Sequence, residues 1–117
     1  QNKTPEAIAT LTEILNHHPV NKIIDDVLFL QGTLYEQQHE YTKAIRNYER
    51  IVNTLKESIF VDDALFKLAM LHLKQLNNNV KASAYFETLL FNHADSIHFI
   101  EAQKMYRKLR KDISNNS

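Results

Sequence analysis

Residues 24–35 read IDDVLFLQGTLY, and residues 61–72 read VDDALFKLAMLH. The second stretch repeats the first in register, because Asp62 follows Asp25 by 37 positions and a Leu-Phe pair follows shortly after each pair of aspartates. Similarity at one fixed spacing of this size is typical of proteins that stack copies of a single supersecondary unit. The two stretches therefore predict a helical repeat architecture.

The composition favours one continuous core made of helices. The chain has 117 residues, of which 44% are apolar, and this is enough for a continuous core. Its 14 Lys and Arg residues balance its 14 Asp and Glu residues, so it lacks the long-range positive field used by nonspecific nucleic-acid or anionic-membrane binders. One Gly and two Pro leave few residues for hairpins or phosphate loops, which favours an all-α fold. No apolar run approaches the roughly 18 to 20 residues that cross a bilayer.

Six helices are expected from the apolar periodicity and the capping residues. The first begins at Thr4-Pro5-Glu6, since Thr is a good N-cap and Pro fits the first helical position, and it ends at the His-His-Pro sequence of residues 17–19. The second is expected from about Lys22 to Gln38, and the fourth from about Ser58 to Leu76. The third helix is expected after the polar turn 38–40, and the fifth after the Asn turn 77–79. The sixth is expected to begin at residues 95–96 and to end in a polar tail at 114–117.

Gly32 lies in the middle of the second helix, where Gly costs about 1 kcal/mol relative to Ala. Its position predicts a place where another helix comes too close for a Cβ atom, and the second copy has the small Ala69 there. The residues of this helix that are expected to face the core are Val27, Leu28, Leu30, Leu34 and Tyr35.

The helices fall into two types that alternate. Second-type helices (the first, third and fifth) repeat Ala7 as Ala44 and Ala82, whereas first-type helices (the second, fourth and sixth) carry the repeated stretch or its counterpart. A single domain over residues 1–117 is predicted, with a half repeat at 4–18, repeats at 22–56 and 58–94, and a capping helix at 95–113. The half repeat predicts that the chain is the C-terminal piece of a longer array. Its apolar face, around Ala7, Leu11 and Ile14, is then expected to support a homodimer.

The spaced residues of each unit resemble the tetratricopeptide repeat family. The first full unit supplies Leu28, Gly32, Tyr35, Ala44 and Tyr48 at the spacing of the family pattern, and Pro19 fills its Pro position in the half repeat. The second unit supplies Leu65, Leu68, Ala69, Ala82 and Phe86, with His72 where Tyr is usual. The first full unit departs from the pattern in having Gln31 in place of Leu, Ile51 in place of Ala and Lys56 in place of Pro. The period of 37 or 38 residues exceeds the standard length of roughly 34. The recurring Ser-Ile motif at Ser58 and Ser96 is similar to the longer repeats of bacterial envelope proteins, such as the outer-membrane β-barrel assembly lipoprotein type.

This resemblance implies a right-handed α-solenoid of antiparallel helix pairs and a peptide-binding groove on one face of the first-type helices. The envelope-type resemblance implies a periplasmic or cell-envelope location. Carried over residue by residue, the groove positions are Asp26, Phe29, Thr33, Glu36, Asp63, Phe66, Met70, Leu73, Lys104 and Lys108. Phe66, Met70 and Leu73 make the fourth helix apolar nearly all round, so they are either part of a buried central helix or a surface for a peptide.

Other polar clusters have two interpretations each. The pairs Asp25-Asp26 and Asp62-Asp63 suit the positive end of a helix dipole, or they contact a basic group on a partner. The cations of residues 104–111 suit the C-terminal half of a helix, or they bind an acidic partner or nucleic acid. None of the six His residues has a second His four positions away on a helix, so no metal site is predicted.

The predicted function is a protein-interaction scaffold that binds a peptide segment or a subunit. With no Cys and no Ser or Thr in a nucleophile or phosphate-loop context, the sequence offers no active site, so no enzyme activity, cofactor or small-molecule substrate is expected. The alternatives are a structural end-cap or dimerisation module of a longer array, and an RNA-binding helical repeat, against which the zero net charge weighs.

Overall fold

The computed structural model describes residues 3–17 and 23–115. They form six α-helices and no strand, which confirms the all-α class. The helices are α1 (Thr4–His17), α2 (Ile24–Gln37), α3 (Tyr41–Thr54), α4 (Val61–Lys74), α5 (Asn79–Asn92) and α6 (Phe99–Asn115). The predicted roles of His18, Pro19 and Lys22, and the last two residues of the polar tail, lie outside the described residues.

The chain divides into two compact units, which we call unit 1 (Gln1–Val61) and unit 2 (Asp62–Ser117). Unit 1 contains α1, α2 and α3. Unit 2 contains α4 from its second residue, together with α5 and α6. The single domain, the longer array and the right-handed solenoid stay predictions.

In unit 1, α2 packs against α3 at the predicted close approach. A Cβ atom on Gly32 would lie 2.7 Å from Cε1 and 3.0 Å from Cζ of Tyr48, nearer than van der Waals contact allows. The Tyr48 side chain is fully buried, as are Leu28, Ala44 and Ile51. Gly32 is therefore required by the ring of the facing helix, as its position predicted.

A buried amide side chain of α2 holds α1 in place. Gln31, only 2% exposed, donates from Nε2 to the carbonyl of Ile8 (3.1 Å) and to Oγ1 of Thr12 (2.6 Å). Its own Oε1 accepts from Nδ2 of Asn47 (2.8 Å), which also donates to the carbonyl of Leu28 (3.1 Å). One Gln thus joins three helices at the position where the family pattern has Leu.

Unit 2 is more apolar at the corresponding places. Leu65, Leu68, Ala69 and Phe86 are all buried, and Phe86 occupies the position of Tyr48. His72 is also buried, as its alignment with Tyr35 predicted, and its ring stacks on that of Tyr85 with centroids 5.5 Å apart. On the other side of α5, the Tyr106 hydroxyl of α6 donates to Glu87 (2.5 Å).

Both turns inside a repeat contain a residue in the left-handed region. His39 has φ 59° in the α2–α3 turn, and Asn77 has φ 50° in the α4–α5 turn. Asn78 then caps α5, since its side chain accepts from the backbone N–H of Lys81 (3.0 Å). The Asn turn absorbs the extra residue of the second copy, because Asn tolerates this conformation better than most residues.

Two helices begin later than predicted, and for the same reason. The predicted starts were Ser58 for the fourth helix and residues 95–96 for the sixth, but α4 begins at Val61 and α6 at Phe99. In each case a Ser hydroxyl accepts the backbone N–H two residues on, Phe60 to Ser58 and His98 to Ser96, both at 3.0 Å. A Ser hydroxyl that binds a nearby backbone N–H competes with the helical hydrogen bonds, so both Ser residues lie in the turn before the helix.

The expected core of α2 is wrong at one position. Leu30 is 51% exposed, whereas Val27 and Leu28 are buried and Leu34 and Tyr35 are half-buried. Leu30 belongs to the same apolar run, but about half of its surface is open to solvent. In α1, Ala7 is exposed and Leu11 and Ile14 are half-buried, so no α1 residue is fully buried.

Candidate functional site

The predicted interaction residues of unit 1 lie on one face of α2, around a cluster of three rings. Phe29 is half-buried, and its ring centroid lies 5.0 Å from that of Phe60, nearly parallel, and 5.5 Å from that of Tyr48. Thr33 donates to the carbonyl of Phe29 (3.1 Å), while Asp26 is exposed one turn earlier. This face therefore has an aromatic floor with polar residues at its edge.

Glu36 closes the other end of this face, where its carboxylate accepts a hydrogen bond from the hydroxyl of Tyr48. Burial first, and then this bond to Glu36, raise the pKa of the Tyr48 phenol well above its usual value. Tyr48 therefore keeps its proton and donates to Glu36 at any physiological pH. Glu36 is half-buried and serves the packing of unit 1 as well as any partner.

Three apolar residues on α4 occupy the corresponding face of unit 2. Phe66, Met70 and Leu73 are all half-buried, whereas the core residues of the same helix, Leu65 and Leu68, are almost fully buried. Partial burial places these residues between core and surface, and the peptide-binding surface on α4 stays a prediction. Each of the three side chains is partly buried and partly exposed. Their spacing of four and three residues places them on one face of α4.

Phe66 lies at the centre of a second ring cluster. The ring of His98 stacks on it with centroids 4.4 Å apart and an angle of 10°, and Phe86 approaches it edge-on at 6.0 Å. The cluster repeats that of unit 1, with His98 in the place of Phe60. The two units thus build the same three-ring floor from different residues.

Asp63 is engaged within unit 2. Its Oδ1 lies 2.6 Å from Nε2 of His98, and both side chains are partly exposed. The sequence suggested a basic group on a partner for this carboxylate, but here the group is a histidine of the same unit. Sequence reasoning missed His98 as a site residue, although its offset of 38 from Phe60 carried the signal.

Asp25, in the first acidic pair, has a structural role. Its Oδ1 accepts from the backbone N–H of Asp26 (2.9 Å), and its Oδ2 accepts from the hydroxyl of Ser58 (2.7 Å). The bond to Ser58 ties the start of α2 to the turn that follows α3. Within residues 3–17 and 23–115, no group of three or more His, Asp or Glu side chains is placed to hold a metal ion.

The last predicted site residues lie on α6. Lys104 and Lys108 are exposed, one turn apart, on the side of α6 opposite to the buried Ala102 and Leu109. In the described part of the chain, no helix is both long and apolar enough to cross a membrane.

Comparison with known proteins agrees with this architecture. The family model described as tetratricopeptide repeat matches residues 26–58 and 63–96. The starts of these segments are 37 residues apart and their ends 38, the same offsets that relate the repeated residues. No curated protein matches the chain. Because the two matched segments cover more than half of its length, the protein belongs to the tetratricopeptide repeat family.

Proposed function

We propose that this protein is an interaction scaffold that binds a peptide segment, or a neighbouring subunit, through the half-exposed faces of α2 and α4. Tetratricopeptide repeats generally mediate protein–protein interactions and are typically not enzymes. Phe29 would serve as the apolar anchor on α2, and Phe66, Met70 and Leu73 as anchors on α4. Lys104 and Lys108 would contribute charge from α6.

The observation that carries this proposal is the exposure of Met70 and Leu73. Core residues of α4 are buried by their neighbours, yet these two apolar side chains remain partly open to solvent. Apolar side chains at this helical spacing form a continuous stripe, which is the form of surface that receives an apolar partner segment. Phe66 belongs to the same stripe, but it also holds His98, so its removal would test packing as well as binding.

The test uses peptides selected on the intact protein from a random displayed library. We expect their affinity, measured by fluorescence anisotropy, to fall about tenfold or more in the double variant Met70→Gln/Leu73→Gln. Both side chains are already half-buried, so a partner completes only about half of a burial that is worth roughly 1.5 to 3 kcal/mol per fully exposed side chain. The control is Leu30→Gln/Ile59→Gln, which changes two exposed apolar residues in the same way and should leave affinity unchanged.

Circular dichroism decides between surface and core. The Met70→Gln/Leu73→Gln variant should keep the helical signal of the wild type, whereas Leu68→Ala should reduce its thermal stability, since Leu68 is fully buried. Unfolding of the Met70→Gln/Leu73→Gln variant would mean that these residues are core. Unchanged affinity in that variant would mean that the partner binds elsewhere.

A second candidate function is self-association through α1. No α1 side chain is fully buried, and Leu11 and Ile14 keep part of their apolar surface in solvent. Sedimentation of the protein over a wide concentration range tests this proposal. A monomer at the highest concentration would exclude it, and a dimer lost in Leu11→Gln would support it.

We also propose a cell compartment for the protein. The support is the recurring Ser-Ile motif at Ser58 and Ser96, which resembles the longer repeats of bacterial envelope proteins. On this proposal the protein acts in the periplasm. Cell fractionation of the natural host with an antibody against the protein would test it, and recovery in the cytoplasm would exclude it.

A further inference from the structure

Helix α6 presents a row of four cations, which we call the cationic stripe: Lys104, Arg107, Lys108 and Lys111. All four side chains are exposed. Their spacing of three, four and seven residues places them on one side of the helix, opposite to Ala102 and Leu109. The stripe therefore faces solvent along about two turns of α6.

The helix dipole does not account for these cations. A dipole favours positive charge only within the last turn of a helix. Helix α6 continues to Asn115, and its last turn contains no basic residue. The stripe begins near the middle of the helix instead, so the interpretation of residues 104–111 as a favourable helix end is wrong for this helix.

The protein does not neutralise the stripe. Among residues 3–17 and 23–115, no ion pair joins any of its four side chains to a carboxylate. Glu87, on the neighbouring helix α5, accepts a hydrogen bond from Tyr106 instead, and the guanidinium of Arg110 lies 5.9 Å from the ring of Tyr106. Like charges three and four positions apart repel each other on a helix, and in the described part of the chain neither Glu101 nor Asp112, the carboxylates of α6 nearest to the stripe in sequence, forms an ion pair with it.

We propose that the cationic stripe binds an acidic segment of a protein partner. The inference deepens the proposed function, on which it rests, because Lys104 and Lys108 belong to the predicted interaction face. From Lys104 to Lys111 the stripe spans about 10 Å, which matches a short segment bearing three or four carboxylates. Ile100, 60% exposed and one turn before Lys104, offers an apolar contact at one end of the segment.

The chemistry of the stripe fits an acidic protein better than a nucleic acid. Proteins that hold single strands combine cations with aromatic rings on which bases stack. The stripe contains no ring, and Tyr106 lies on another side of α6, bonded to Glu87. The chain as a whole has no net charge, so it lacks the long-range attraction that nonspecific nucleic-acid binding needs.

The test measures binding of a fluorescein-labelled peptide rich in Glu and Asp, with one Leu near its end, to the full chain at low salt. We expect saturable binding that weakens as salt rises and that falls about tenfold in Lys104→Gln/Arg107→Gln/Lys111→Gln, since each exposed charge pair contributes a small, screened amount. The matched control is Lys3→Gln/Arg46→Gln/Lys56→Gln. It removes two Lys and one Arg from exposed positions of unit 1 and should leave the affinity unchanged.

Each other outcome overturns the inference. No binding of the acidic peptide by the wild type would leave the stripe as a solvated face only. An equal loss in the control variant would mean that net charge, and not the stripe, is responsible. Binding of a poly-uridine oligonucleotide or of vesicles containing phosphatidylserine, with no binding of the peptide, would assign the stripe to another class of partner.

The two proposals can fail separately. The Met70→Gln/Leu73→Gln variant should still bind the acidic peptide, because its charges are unchanged. If it does so while the library-selected peptides show no dependence on Met70, the stripe stands and the α4 face does not. If the selected peptides depend on Met70 but the acidic peptide never binds, only the inference about the stripe fails.

Discussion

Replacing Gly32 with Ala sets two effects of opposite sign against each other. Ala stabilises a helix interior by about 1 kcal/mol relative to Gly. The added Cβ, however, would lie 2.7 Å from Cε1, 3.0 Å from Cζ and 3.3 Å from Cδ1 of Tyr48. Overpacking of a well-filled core costs typically about 1 to 3 kcal/mol. We expect a net loss of about 1 kcal/mol, because the Tyr48 ring has little freedom to move.

The lack of freedom comes from the contacts of the ring. Tyr48 is fully buried, its hydroxyl donates to Glu36, and Phe29 lies against it at 5.5 Å. In unit 2 the chain already holds an Ala in the matching place, Ala69, beside a fully buried Phe86 that has no hydroxyl. Releasing the hydroxyl with Tyr48→Phe should therefore allow the ring to shift and accept the Cβ.

A double-mutant cycle measured by urea denaturation tests this reasoning. Gly32→Ala should lower stability in the wild type and be close to neutral when combined with Tyr48→Phe, which gives a coupling of roughly 1 kcal/mol between the two sites. In a thermal melt, the single variant should unfold about 4 °C lower than the wild type. If Gly32→Ala instead stabilises the protein by about 1 kcal/mol in both backgrounds, helix propensity decides and the close approach is irrelevant.

Substitutions at three positions test further features of the fold. Gln31→Leu should loosen α1, at a cost of about 1 to 2 kcal/mol, and speed hydrogen exchange of its amides; unchanged exchange would mean that the amide network does not hold this helix. The folded state raises the pKa of Tyr48. The protonated Tyr48 therefore contributes fully to the free energy of unfolding below about pH 10, the pKa of the unfolded chain, and this contribution falls by about 1.4 kcal/mol for each pH unit above it. Urea denaturation should therefore show a shallower alkaline loss in Tyr48→Phe, and an unaltered slope would refute the assignment. His98→Ala should cost about 1 kcal/mol more than His98→Phe in thermal melts, since Phe keeps the stacked ring as Phe60 does; equal losses would show that the bond to Asp63 matters more.

The sequence predicted those features that depend on the repeat register or on backbone chemistry. Gly32 was informative because a helix interior tolerates Gly poorly unless space requires it. The Asn turn was predictable because few residues other than Asn and Gly adopt positive φ. The all-α class followed from the near absence of Gly and Pro.

The features that were missed depend on side-chain direction or on partners distant in sequence. Leu30 fits the apolar run of α2, and only the packing of the helix shows that it faces outward. The late starts of α4 and α6 arise because Ser58 and Ser96 bind nearby backbone N–H groups. The pairing of His98 with Asp63 joins residues 35 positions apart, and the bridge made by Gln31 spans three helices. Neither can be read from a local pattern.

The hydrogen bonds of Gln31 and Asn47 also mean that the two repeats of the chain are not interchangeable. Leu68 and Tyr85 occupy the places in unit 2 that Gln31 and Asn47 occupy in unit 1, so these two places offer no amide to hold a helix such as α1. A chimera that substitutes a second copy of α4 and α5 for α2 and α3 would keep the periodicity and lose the hydrogen bonds to Ile8 and Thr12. The two repeats share one sequence register, but exchanging one for the other would remove the hydrogen bonds that hold α1.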